Sequence, residues 1–390
     1  MGKAPASTLS CDACTKAKRK CNKKQPRCER CRSRNLTCQY PRSKPSAFVP
    51  LVDDDPLGTT EASTLPATPQ SLIETVATSA QHEREALSYA GNDEFVSWWF
   101  AAPDTWMIDQ APGGVKRMPP ASHDLDDAIQ TLQHWLSSWT IGQANPFFHS
   151  ELYRQRFPSH LQDAYLSLSL YNARTTTNKS TVFRILEDKV VQLVSARHHC
   201  SSKPTLDPLE LLSYAQALLV HQVIGLFDGN IRLRHVAEKH ILVLIEWIHD
   251  IVNRAQHQQP LGRFLLSSPH EAASMQWEKS AWYSWILAES IRRTWLMVSM
   301  VQGMYMTSRD GVDHCLGGMV FTSRAGFWEA PTASTWQQKC TEVYGGLIRL
   351  TEMNKLFANI DPTHLDEFAE LVLKVTFNSE QLERWKTLQK

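Results

Sequence analysis

The chain has 390 residues, 42% of them hydrophobic and 21% charged, with 13 Trp. That is enough to build a sizeable core, and it excludes a wholly disordered or coiled-coil chain. The net charge of +1 hides an asymmetry: residues 1–44 hold 13 of the 41 Lys and Arg but only two of the 40 Asp and Glu, so this head carries +11 and the remainder −10.

Taken in order, the first ten residues, MGKAPASTLS, contain no apolar h-region, and position 6 is Ala6. Neither a secretory signal nor a myristoylation pattern is expected. The longest apolar run is expected around residues 295–306, too short to span a bilayer, so no membrane partner is expected and the thiols should stay reduced.

Six of the nine Cys then fall in one run, CDACTKAKRKCNKKQPRCERCRSRNLTC. Its spacing, C-x2-C-x6-C-x6-C-x2-C-x6-C, is an internal repeat, CDAC-x6-C followed by CERC-x6-C. A C-x2-C pair lets two thiolates reach one tetrahedral ion at about 2.3 Å, and zinc is the usual occupant. One ion would leave two thiolates over, and two separate four-coordinate ions would need eight. Six ligands serve two ions only if two sulfurs bridge, one from each half of the repeat. Apart from Leu36 the segment has almost no hydrophobic side chain, so metal binding must supply its folding energy. A disulfide-stapled miniprotein and a redox or metal-storage tract weigh less, the first for want of an export signal and the second because storage tracts lack such ordered spacing. The expected ligands are Cys11, Cys14, Cys21, Cys28, Cys31 and Cys38, holding two Zn²⁺ per chain.

Residues 15–24, TKAKRKCNKK, carry six cations. Six thiolates against two Zn²⁺ contribute −2, so the head stays near +9. Such a field binds phosphate backbones through counterion release. Outside Tyr40 the head has no aromatic ring on which unstacked bases could stack, which favours double-stranded DNA over RNA.

The run resembles the zinc binuclear cluster, Zn(2)Cys(6), of fungal transcription regulators, in all six cysteines, the basic stretch after the second and Pro26 two residues before the fourth. The resemblance implies that Cys11 and Cys28 bridge, that Cys14 and Cys21 complete one zinc site and that Cys31 and Cys38 complete the other. It implies two short helices after the C-x2-C pairs, a loop shaped by Pro26, and a place of action in the nucleus. It further implies that Lys18 reads base edges at a CGG triplet while Lys20 and Lys23 hold phosphates. Thr15 and Ala17 stand where the family usually carries cations, and Lys16 and Arg19 are the neighbours placed to supply that charge.

Residues 41–70 are rich in Pro, Ser and Thr and read as a disordered tether. Residues 71–90 (SLIETVATSAQHEREALSYA) are under three heptads with weak apolar content, so a homodimer has only a weak zipper signal, and an amphipathic helix docking on the body is the better reading. The segment NDEFVSWWFAAPDTWMID alternates acids and aromatics. It suits an activation segment, but its aromatic density favours an anchor onto the body. The organisation expected is a small zinc-folded head at 1–44, a linker at 45–120 and an all-α regulatory body at 121–390.

In the body, stripes at three-to-four spacing run through Leu125–Trp139, Leu161–Tyr171 and Val182–Leu193. Asp207 followed by Pro208 reads as an N-cap opening a helix to about 228, and further helices are expected near 231–254, 276–308, 334–358 and 364–388. The stretch AESIRRTWLM (288–297) resembles the helical domain behind such clusters in regulators of secondary-metabolite gene clusters. That resemblance implies a body that modulates the DNA-binding head or meets coactivators, while the Trp and Met stripe at 277–306 reads as core with room for a small-molecule effector as the alternative. His198, His199 and Cys200 read as a helix end rather than a metal site, and Asp313, His314 and Cys315 lack any glycine elbow. No enzyme is expected. Readings of other classes are a zinc enzyme, a single-stranded RNA module and, as the main alternative, a thiol/zinc redox or metal sensor acting on transcription.

Overall fold

A computed structural model describes residues 11–24, 27–34, 36–38, 98–109, 122–142, 145–200, 206–268, 270–271, 275–311, 317–342, 346–351, 357, 361–377 and 379–388. The Pro26 loop, the tether at 41–70, the helix expected at 71–90 and the Asp313–His314–Cys315 group lie outside them. The chain divides into two compact units, Met1–Ile73 and Glu74–Lys390.

The first unit contains α1 (Asp12–Lys16) and α2 (Glu29–Ser33), each following directly on the first Cys of a C-x2-C pair. The sequence repeat is also a backbone repeat, at an offset of 17 residues. Ala17 N–H donates to Ala13 O in the first half and Arg34 N–H to Arg30 O in the second; Arg19 N–H reaches Cys14 O as Leu36 N–H reaches Cys31 O. The six-to-one bond at Cys14 closes α1 in the manner that normally requires glycine at the turning residue. Here Lys18 occupies that place, with φ of 48°, and Lys23 has φ of 55°.

The second unit is mostly helical. It runs through α3 (Ser122–Thr140), α4 (Ser159–Asn172), α5 (Lys179–Cys200), α6 (Pro208–Phe227), α7 (Ile231–Lys239), α8 (Ile241–His257), α9 (Trp277–Asp310), α10 (Ala333–Glu342), α11 (Glu367–Thr376) and α12 (Ser379–Leu388). The expected cap is present: Asp207 Oδ1 accepts from Glu210 N–H at 2.8 Å, with Pro208 in the first turn. α6 is buried all round and packs against α4, α5, α7, α8 and α9. It is 20 residues long and apolar enough to cross a membrane, so the apolar run that meets that test lies here and not at 295–306. Its polar residues have partners inside the fold: Gln216 bonds Thr294 at 3.2 Å and Tyr153 at 2.6 Å, and Gln222 bonds Gln302 at 3.0 Å. Gly225 lets α7 close on α6, because a Cβ there would lie 2.7 Å from that of Ala237.

Three helical expectations divide, and the mostly helical body also holds one two-stranded sheet. The segment at 231–254 breaks at His240 into α7 and α8, and 364–388 breaks at Phe377 between α11 and α12. Within the stretch at 334–358, α10 ends at Glu342 and Gly346, at φ of 66°, leads into strand β2 (Leu347–Ile348), antiparallel to β1 (Phe321–Thr322), while Phe357 is again helical. The periodic apolar residues there were legible, but the strand depends on a distant acceptor: Thr322 N–H donates to Glu289 of α9 at 2.9 Å.

The body also begins before residue 121. Phe100 and Trp106 are buried in its core, with Trp98 and Trp99 against them, so 98–109 anchors to the body and is not connecting chain. At its end Asp109 pairs with Arg349 at 2.8 Å and with the main chain of Gly318. Gly317, at φ of 105°, is required there, since a Cβ would meet Asp109 O at 2.5 Å.

The stretch AESIRRTWLM forms the middle of α9, and its charges are fully interior. Glu289, Arg292 and Arg293 have side-chain exposures of 0, 0 and 1%. Arg292 donates to Phe100 O and Thr105 Oγ1 and lies 4.8 Å from the Trp106 ring, fastening 98–109. Arg293 donates to Pro146 O at 2.8 Å, to Thr322 O at 3.3 Å and to Asp366, the N-cap of α11. Glu289 accepts from both guanidiniums and from the Thr322 N–H and O–H. Buried ions with this many partners are tolerated because no charge is left uncompensated.

Candidate metal centre and DNA-binding face

All six predicted cysteines come together in the head, and they do so as two overlapping groups of four. Cys11, Cys14, Cys21 and Cys28 form one and Cys11, Cys28, Cys31 and Cys38 the other, with the sulfurs of each within 4.8 Å of one another. Cys11 and Cys28, the pair common to both, are the pair the family resemblance assigns as bridging. The sulfurs of Cys11 lie 3.7 Å from Cys28 and Cys31 and 3.8 Å from Cys21, and Cys14 lies 3.7 Å from Cys28. A tetrahedron with metal–sulfur bonds of about 2.3 Å spaces its sulfurs about 3.8 Å apart. A disulfide would need about 2.05 Å. The donor set therefore fits two zinc ions sharing two thiolates, and it excludes disulfides among these residues.

Five of the six are buried and Cys38 is half-buried. Among the described residues of this unit the buried set is the cysteines themselves, with Ala13 and Cys38 packed against it. Without metal the site would be costly: burial pushes the Cys11 thiol far up and that of Cys31 up to about 12, while main-chain hydrogen bonds at Cys11 and Lys23 hold Cys21 down to about 6. A bound divalent ion offsets this by keeping all six as thiolates. Main-chain N–H groups support the sulfurs, from Cys31 to Cys28 at 3.4 Å and from Cys28 to Cys38 at 3.3 Å.

The five predicted DNA contacts, Lys16, Lys18, Arg19, Lys20 and Lys23, are all exposed. They occupy the end of α1 and the irregular chain after it, so the clustered sulfurs hold them on one short segment. Lys18 and Lys23 are the two residues of left-handed backbone noted above, and local strain of this kind persists where surrounding structure fixes it.

Sequence reasoning overlooked the cross-ties between the two halves. Asn22 Oδ1 accepts from Glu29 N–H at 3.1 Å, capping α2 from the other half; Lys24 pairs with Glu29 at 2.5 Å; and Arg30 Nη1 donates to Cys14 Sγ at 3.7 Å. The repeat itself carried a signal: CERC has Arg30 where CDAC has Ala13.

In the body, His198 and His199 sit in the last turn of α5 with their rings edge to face, and the metal-competent groups among the described residues are the two cysteine groups alone. Ser213, His160 and Glu210 have the composition of a nucleophilic triad, with Ser213 Oγ 2.6 Å from His160 Nε2. Ser213 is wholly buried, and it donates to Glu210 O, so the group ties α4 to α6.

Comparison with known proteins agrees with this geometry. The model of the fungal Zn(2)-Cys(6) binuclear cluster domain matches residues 9–47. Transcription factor gsfR2 of Penicillium aethiopicum is 30% identical over 401 residues, spanning 95% of this chain and 92% of that protein. No solved structure matches. The chain belongs to the fungal Zn(2)-Cys(6) binuclear cluster family of zinc-dependent, DNA-binding transcription regulators.

Proposed function

We propose that the chain is a nuclear, sequence-specific regulator that reads CGG-type triplets in double-stranded DNA and controls genes of a secondary-metabolite pathway. The observation that carries the reading is the pair of four-sulfur groups sharing Cys11 and Cys28, with a run of exposed cations beginning two residues after Cys14. Cys11, Cys14, Cys21 and Cys28 are assigned to one zinc and Cys11, Cys28, Cys31 and Cys38 to the other. Bound zinc supplies no reaction here; it gives the head the fold that its side chains cannot. The domain scheme proposed is a head at 1–44, a connecting segment, and a helical body that recruits coactivators or answers an effector.

Within the head each cation has its own task. Lys18 leaves the last turn of α1 in a left-handed conformation and is assigned the guanine O6 and N7 contact. Lys16, Arg19, Lys20 and Lys23 are assigned to phosphates, where they set register and affinity but carry no sequence information. The pathway assignment rests on the likeness of 288–297 to regulators of secondary-metabolite genes.

Fluorescence anisotropy of the zinc-loaded protein on a CGG duplex and a scrambled duplex tests the reading. Lys18→Ala should cost about 1–3 kcal/mol on CGG and little on the scrambled duplex. Lys20→Ala should weaken both alike and lower the salt slope by about one unit. Equal losses from Lys18→Ala on the two duplexes would remove Lys18 from base readout.

A further inference from the structure

The two halves of the head are alike in backbone but differ in what touches their sulfurs. In the first group Cys14 is buried, and the Arg30 guanidinium, reaching over from the other half, donates to its Sγ. The corresponding residue of the first half is Ala13, which has no donor to return to Cys31. Among the described residues no charged side chain donates to Cys31 or Cys38, whose partners are other cysteines and the Cys28 main chain, and Cys38 is half-exposed. Arg30 is itself half-buried, whereas its neighbours Glu29, Arg32, Ser33 and Arg34 are exposed. Its main chain is held within α2, which Cys28 and Asn22 cap. The contact therefore follows from a fixed helix and not from a wandering surface arginine.

We propose that Arg30 is a positioning residue for the zinc cluster, and that it makes the ion held by Cys11, Cys14, Cys21 and Cys28 slower to leave than the ion held by Cys11, Cys28, Cys31 and Cys38. This rests on the ligand assignment above. A thiolate-rich cluster carries excess negative charge, and a guanidinium N–H on one terminal sulfur draws charge from it without competing for the metal. A thiolate so bonded is a poorer base and a poorer nucleophile, so a proton, an alkylating agent or a chelator finds the Cys14 side harder to open. Partners of metal ligands change metal affinity by about 10–100-fold when removed. The inequivalence gives the head a defined order of disassembly, in which the Cys31–Cys38 side opens first.

The experiment uses the full-length, zinc-loaded protein mixed with excess chromogenic chelator. Iodoacetamide is present, and each cysteine's alkylation is followed by mass spectrometry. The wild type should release zinc in two phases of equal amplitude, with Cys31 and Cys38 alkylated in the first and Cys14 and Cys21 in the second. Arg30→Met should speed the second phase by about tenfold and erase that order. Arg30→Lys, which keeps the charge with a single donor head, should recover part of the difference. Arg32→Met removes the same charge from an exposed neighbouring position and should leave the second phase unchanged. Cobalt-loaded protein adds a readout that a folding defect does not mimic: the sulfur-to-cobalt charge-transfer band should move to longer wavelength in Arg30→Met and stay in place in Arg32→Met. An unchanged second phase in Arg30→Met, or equal acceleration by Arg32→Met, would overturn the proposal. A wild type holding other than two zincs would instead overturn the ligand assignment beneath it.

Discussion

The two units of this chain hold themselves together by opposite means. Among the described residues of the head five cysteines make up the buried set, and both helices have only five residues, far too short to persist on their own. In the body one apolar cluster extends from Phe100 to Trp385, built on two helices buried on all sides. The head keeps its charges outside, where they can meet a polyanion. The body takes three charges of α9 into its centre and uses them to gather segments as far apart as Phe100 and Asp366. A metal lets a fold be small and expose nearly every side chain to a partner; an apolar core gives up that exposure and gains a framework for long-range contacts.

Removing zinc should break the comparison most sharply. Structural zinc supplies about 10–16 kcal/mol in comparable small domains, so a strong chelator should abolish binding to duplex DNA and unfold the head. The body has its own core and should keep its thermal transition. Calorimetry with and without chelator checks this, and a body transition that drops on chelation would show that its stability depends on the metal.

The converse perturbation lies at Arg293. Arg293→Met leaves Glu289 short of one guanidinium and Asp366 without its ion-pair partner, both in the interior. Removing one partner of a buried ion pair costs about 3–5 kcal/mol. Urea unfolding of the body should register that loss, while zinc analysis should still find two ions per chain. Loss of zinc in step with the body's stability would contradict the independence of the two units.

Acid should distinguish the units again, with a smaller effect. His149 lies among the rings of Trp282, Trp285 and Trp328; its Nδ1 accepts from Glu151 N–H, and Arg293 is close by. Burial, aided by Arg293, holds it down to about 3, against about 6.5 in the unfolded chain. Between those values the folded body binds fewer protons than the unfolded chain, so stability is complete above 6.5 and falls as pH drops. Over pH 7.5 to 5.5 this one group accounts for about 1.4 kcal/mol. Burial of His160, which holds it to about 4, adds in the same direction; burial raises Asp366 to about 6, which opposes it below that pH. His149→Phe should lose about one proton's worth of this acid sensitivity, and urea midpoints at the two pH values would show it. An identical acid loss in the variant would assign the sensitivity elsewhere.

Legibility followed the same division. A metal site is written in residue type and interval, so the six cysteines and the need for one shared sulfur from each half could be read from spacing, the exposed cations from composition, and the membership of the two groups of four from the family resemblance. The body's helices were legible where period and caps coincide, as at Asp207 and Pro208. Its site-like features were not. RRTW shows no sign in sequence that both arginines point inward, because their partners, Phe100 O, Pro146 O, Thr322 O and Asp366, are distant main-chain atoms and a distant cap. The break into β2 was hidden for the same reason. The tie from Arg30 to Cys14 is intermediate: the repeat exposes Arg30 as the odd residue against Ala13, but its target appears only once the halves face each other.

The smallest expected effect separates what the head needs to fold from what it needs to read DNA. Lys18 is left-handed, a conformation that costs a side-chain-bearing residue about 1 kcal/mol more than glycine. In the body every left-handed residue among those described is a glycine, whereas the head uses lysine at Lys18 and Lys23. If Lys18 reads bases as proposed, the strain there is retained for the side chain it places. Lys18→Gly and Lys18→Ala should therefore lose the proposed CGG preference to the same extent, since neither has an ammonium group. They should differ in zinc retention: relief of strain should slow release from Lys18→Gly about fivefold relative to Lys18→Ala, the equivalent of about 1 kcal/mol. Equal release rates would mean that the turn after α1 holds lysine without strain, and that Lys18 is placed there by the cluster at no cost to the fold.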